Sequence, residues 1–145
     1  MARNAWALAG ARIALGASSC ATPPKQHAFD KSRLYATGKD AVWEDVISFF
    51  TGNNIQIKTI EKDSGVIYAE RSGVDGIMAD CGEAPLATEI SRTGTLNVFV
   101  RPVGGKTQVT VNAEFKILRM FDNQTFTGAC HSTGVLERSI LDSID

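Results

Sequence analysis

The sequence predicts an α+β domain: a four-stranded antiparallel sheet made of two hairpins, with an N-terminal and a C-terminal helix packed on one face. Three observations carry this. Two pairs of segments alternate apolar and polar residues with period 2. Two other segments carry apolar stripes at helical spacing. The order is helix, hairpin, hairpin, helix. Four antiparallel strands with one wet face need cover on the other, and two amphipathic helices supply it.

The first helix follows Asp40, whose carboxylate can accept the free N–H groups of a first turn. Val42, Trp43, Val46, Ile47, Phe49 and Phe50 form its apolar stripe, and Gly52 marks a stop. The first hairpin joins 55–60 to 66–71 through Glu61-Lys62-Asp63-Ser64-Gly65, with Gly where positive φ is needed. In the second, Leu96, Val98 and Val100 share one strand face. Val109, Val111, Ala113, Phe115 and Ile117 share a face of the next, and Gly104-Gly105 makes the turn. Gln108, Thr110, Asn112, Glu114 and Lys116 give a wet opposite face. A last helix fits 133–144, with Thr133 as cap and Leu136, Ile140, Leu141 and Ile144 inward, leaving Glu137 and Arg138 outside. The connection 73–94 exceeds the usual length of about 12–15 residues. It therefore holds a short strand or serves as a binding loop.

The 145 residues carry a net charge of −1, with 43% apolar and 21% charged residues. That composition excludes a coiled coil, a collagen-like chain and a disordered chain. No uncharged apolar run approaches the about 18 residues of a membrane-spanning helix. Nucleic acid is excluded as main partner, because a phosphate-binding face needs a basic excess.

Residues 1–19 stand apart. They contain Arg3 and Arg12 and no acid, and the first acidic residue is Asp30. A positive start, a short apolar stretch and small residues before a cut site make a secretory signal peptide. Ala17-Ser18-Ser19-Cys20 resembles a bacterial lipobox. That resemblance implies that Cys20 is acylated on sulfur and becomes the mature N-terminus. Two features depart from the pattern: Ala17 replaces the usual Leu, and Arg12 interrupts the apolar stretch. A plain N-terminal tail and a mitochondrial presequence are the alternatives. Without Arg3 and Arg12 the net charge of −1 becomes −3. The domains expected are a signal peptide over 1–19, a lipidated tether over 20–38 and the α+β domain over 39–145. Pro23-Pro24 and the absence of any period suit a tether.

Three cysteines are present: 20, 81 and 130. If Cys20 takes the lipid, Cys81 and Cys130 remain as an even pair, expected in loops and expected to close in an oxidising periplasm. Closing that loop is worth about 4 kcal/mol by chain entropy. The rival is a small thiol-dependent enzyme or redox protein using Cys130 with the adjacent His131. A metal site from Asp80, Cys81, Cys130 and His131 lacks the C-x-x-C spacing of a zinc centre. Asp75, Asp80 and Glu83 read as a solvated acidic loop rather than an acid–base set. His27 reads as a solvated tether residue. No catalytic residue, metal, cofactor or small-molecule substrate is identified.

Val42-Trp43-Glu44-Asp45-Val46 followed by 57–67 resembles a pattern of small Gram-negative outer-membrane lipoproteins. It is similar to the helix-plus-hairpin unit of the lipoprotein accessory of the β-barrel assembly machinery. Cys130-His131-Ser132-Thr133-Gly134-Val135-Leu136-Glu137 looks like the close of such lipoproteins. The resemblance implies a non-catalytic binding or scaffolding domain, lipid-anchored at the periplasmic face of the outer membrane and meeting an envelope protein. Ala21 after Cys20 implies outer-membrane sorting.

Overall fold

The computed structural model describes residues 21–145. In chain order the elements are β1 (Ser32–Tyr35), α1 (Lys39–Gly52), β2 (Gln56–Glu61), β3 (Val66–Ser72) and β4 (Ala79–Asp80). Then come β5 (Thr88–Val103), β6 (Lys106–Phe121), β7 (Gln124–Ser132) and α2 (Val135–Asp142). The sheet has seven strands in the order β2-β3-β5-β6-β7-β4, and β1 also pairs with β6. Every pairing is antiparallel.

The expectation of a four-stranded sheet between terminal helices is therefore corrected. Both hairpins are present as β2–β3 and β5–β6, but three more strands join them, and a strand precedes α1. The reason lies in cover. A strand alternates visibly only where one face is buried and the other is wet. On the core face of β6, Phe115 and Ile117 are buried, whereas Arg119 is partly exposed and Phe121 is open. Residues 118–132 thus lack an amphipathic signature, yet form the end of β6 and all of β7. Their turn is Asp122-Asn123, both at positive φ (50° and 59°), the conformation of a two-residue type I′ hairpin.

β6 is 16 residues long, and two strands share its outer edge. β7 pairs with residues 115–121, and β1 pairs with 107–110. Between them the Val111 N–H bonds to the Lys31 carbonyl at 2.8 Å.

One cluster forms the core. Val42, Trp43, Val46 and Phe50 of α1 meet Leu96, Val98 and Val100 of β5, with Val109 and Val111 of β6. Leu136, Ile140 and Leu141 of α2 join from the other end. Fully burying one such side chain is worth about 1.5–3 kcal/mol. The opposite face carries Tyr68, Asn97, Phe99 and Asn112, all part-exposed.

The helix ends differ from expectation. Gly38 is the N-cap of α1, and Asp40 lies within the first turn. The chain leaves α1 through Asn54 at φ 55°, not through Gly52. Gly134, not Thr133, precedes α2, while the Thr133 hydroxyl donates to the Ile77 carbonyl. Gly65 is needed for approach as well as for turning. Its carbonyl accepts the Val100 N–H at 2.7 Å, and a Cβ there would strike the Val100 carbonyl.

The segment expected as a free tether lies on the domain. Thr22 and Glu83 exchange both backbone hydrogen bonds, each 2.8 Å. Phe29 packs over Gly134, and Tyr35 is buried with its hydroxyl donating to the Leu141 carbonyl.

Candidate functional site

The cysteine clasp is built from the β4–β7 pairing. Ala79 faces Ser132, and Asp80 faces His131. One step further along that register, the sulfurs of Cys81 and Cys130 stand 2.01 Å apart, a disulfide spanning 49 positions of sequence. Cys130 lies within β7 rather than in a loop, and Cys81 follows β4 directly. The clasp ties the 73–87 connection to the sheet beside α2. That connection does contain a short strand.

The bond leaves Cys130 no thiol to act as nucleophile in this form of the protein. His131 follows it on the strand and so projects to the other side. Among the described residues, no three of His, Cys, Asp and Glu come together as a metal set. Asp80, Cys81, Cys130 and His131 are neighbours in the fold, but their sulfurs are bonded to each other.

Among the described residues the loop carboxylates form no cluster, and those of Asp75 and Asp80 each have a separate task. Asp75 Oδ1 accepts the N–H groups of Ile77 and Met78 at 3.0 and 3.1 Å. Asp80 Oδ1 accepts the Gly82 N–H at 3.0 Å, and Oδ2 lies 3.0 Å from His27 Nε2. The His27 bond first, then the Gly82 N–H, holds the Asp80 carboxyl below the usual carboxylate range. His27, expected to be solvated in a tether, is thus a partner of the clasp loop. The Glu83 backbone pairs with Thr22.

The polar face of the sheet holds a shallow groove of about 520 Å³ across β2, β3, β5 and β6. Tyr68, Glu70 and Arg71 line it from β3, Asn97 from β5, and Glu114 and Lys116 from β6. Alternation places these side chains, Arg71 excepted, on the side away from the helices; Arg71 shares the parity of the buried Ile67 and Ala69 and borders the groove at its end. The Tyr68 hydroxyl reaches Glu70 at 3.4 Å, and Lys58 lies 3.5 Å from the same carboxylate. Lys116 offers positive charge, Glu114 negative charge, and Asn97 an amide. Such a surface can hold a polar peptide segment by hydrogen bonds and ion pairs. The wet face was legible from 108–116, but its concavity was not, because it depends on how strands from two hairpins twist together.

Sequence reasoning misplaced Glu137. It is fully buried on α2, with Oε2 accepting the Ser132 hydroxyl at 2.8 Å. Oε1 has no partner among the described residues. Burial pushes its carboxyl above the usual range, against the Ser132 bond. The signal was present: residues 137, 141 and 144 are spaced i, i+4, i+7, on the inward stripe.

No helix among the described residues is long and apolar enough to cross a membrane. Cys20 and the signal peptide expected over 1–19 lie outside the described residues. No protein-family model matches the chain, and no curated protein matches it in sequence.

Proposed function

We propose that this protein is a non-enzymatic, lipid-anchored domain of the outer membrane's periplasmic face, and that it binds an envelope protein through the polar groove of its sheet. The Cys81–Cys130 pair at bonding distance carries the reading. A disulfide of that kind belongs to an oxidising compartment. It leaves Cys20, in its lipobox-like setting, as the odd cysteine. The resemblance of 42–46, 57–67 and 130–137 to small outer-membrane lipoproteins points the same way. The mixed-charge groove supports a protein partner over an apolar ligand.

Intact mass of the membrane-extracted protein tests this. Loss of 1–19, added acyl mass at Cys20 and two hydrogens lost on bridging are expected together. An unprocessed chain with three free thiols would overturn it. Cys20→Ala is expected to release a folded protein from membranes. A photo-crosslinker at Asn97 is expected to capture a partner, and Lys116→Glu to abolish that capture without unfolding the domain.

A further inference from the structure

The end of the sheet near the Asp122-Asn123 turn carries apolar side chains that neither helix covers. Phe121 of β6 and Phe126 of β7 lie on the helix-side face by strand alternation, beyond the last buried position, Ile117. They are 53% and 44% exposed, and Leu86 beside them is 73% exposed. With Ala21, Ala84 and Pro85 they line an almost wholly apolar groove of about 280 Å³. The loop that presents Leu86 is held in place. Arg119 donates to the carbonyls of Cys81 and Gly82 at 3.1 Å each, and the disulfide fixes Cys81.

We infer that this patch rests on the lipid bilayer surface, so that the domain sits directly on the membrane rather than hanging from it. The inference rests on the proposed acylation of Cys20. The decisive observation is distance along the chain. Ala21 is in the groove wall, so Cys20 is one peptide step away, about 3.8 Å between Cα atoms. Thr22 is then locked to Glu83 by two backbone bonds, which leaves no slack to act as a spacer. Acyl chains on Cys20 would leave the domain from the patch itself. A bilayer at that point meets Leu86, Phe121 and Phe126, and an apolar surface at the headgroup boundary adds to an acyl anchor. Arg119 stands opposite Phe126 in the strand register and Asp122 follows Phe121, so the rim carries both signs and suits zwitterionic lipid.

The test uses the full chain extracted from membranes and reconstituted into phosphatidylethanolamine–phosphatidylcholine vesicles with bromine high on the acyl chains. Tryptophan is placed by Phe126→Trp or Leu86→Trp in the patch, and by Asn97→Trp on the polar face as control. Fluorescence at 126 and 86, measured against the unsubstituted protein, is expected to fall about twofold, because an interfacial side chain reaches that depth. Fluorescence at 97 is expected to stay unchanged. Protein that floats with vesicles and carries acyl mass, yet shows no quenching at 126 or 86, overturns the patch and leaves the anchor standing. Protein that neither floats nor carries acyl mass overturns both. Equal quenching at all three positions reports unspecific adsorption and overturns the patch. Self-association lost in Leu86→Ser/Phe126→Ser, with no quenching, assigns the patch to a second copy instead.

Discussion

The Ser132 hydroxyl donates to the buried Glu137 carboxylate at 2.8 Å, across the junction of the last strand and the last helix. The same oxygen accepts the Gly134 N–H at 3.1 Å. One hydroxyl thus serves the turn and the buried acid together. It serves only one carboxylate oxygen, because Oε1 is unpartnered among the described residues.

Glu137 should make stability depend on pH. Its carboxyl in the fold titrates above the usual 4.5, chiefly through burial. Below 4.5 both folded and unfolded forms are protonated, and nothing is lost. As pH rises past 4.5 the unfolded chain ionises first, so stability falls until the folded carboxyl ionises too. Urea titrations between pH 4 and pH 8 are expected to show this fall. Glu137→Gln is expected to flatten it and to gain about 1 kcal/mol at pH 8, since an under-bonded buried charge is removed. An unchanged slope in that variant would refute the assignment.

Reducing the Cys81–Cys130 bond is expected to cost about 4 kcal/mol, the chain entropy of a loop of this length. The comparison is urea unfolding with and without reductant, beside the double variant Cys81→Ser/Cys130→Ser. The double variant and the reduced protein should coincide. Labelling of the native protein without reductant should leave positions 81 and 130 untouched.

Tyr35 joins β1 to α2 through the Leu141 carbonyl. Tyr35→Phe leaves that carbonyl without its donor, and a loss of about 1 kcal/mol is expected. Burial raises the phenol above its ordinary 10.0, partly offset by Arg33. The unfolded chain therefore ionises first above pH 10, and stability should fall there more in the parent than in Tyr35→Phe. Thermal melts at pH 9 and pH 11 measure the difference.

Gly134 sits at φ 83° with the Phe29 ring where a Cβ would go. Gly134→Ala is expected to destabilise by about 1–3 kcal/mol through backbone strain and collision together. Adding Phe29→Ala should relieve the collision but not the strain, so the double variant is expected to recover part of the loss. A single variant as stable as the parent would show that the 21–31 segment does not pack on α2.

The sequence by itself determined the two hairpins, the two helical stripes and the wet face of β6, because periods of 2 and 3.6 are written into neighbouring residues. It also determined that Cys81 and Cys130 are the even pair left once Cys20 is set aside. Only the tertiary structure decided that β1, β4 and β7 complete the sheet. Those strands owe their places to backbone pairing along the edges of longer neighbours, and pairing of that kind leaves no apolar pattern to read. It likewise decided that Glu137 turns inward, since residue type argues one way and position on α2 the other, and packing against β6 settles it. The apolar end at Phe121 and Phe126 exists for a related reason: the strands outrun the helices, and length of cover belongs to no single segment.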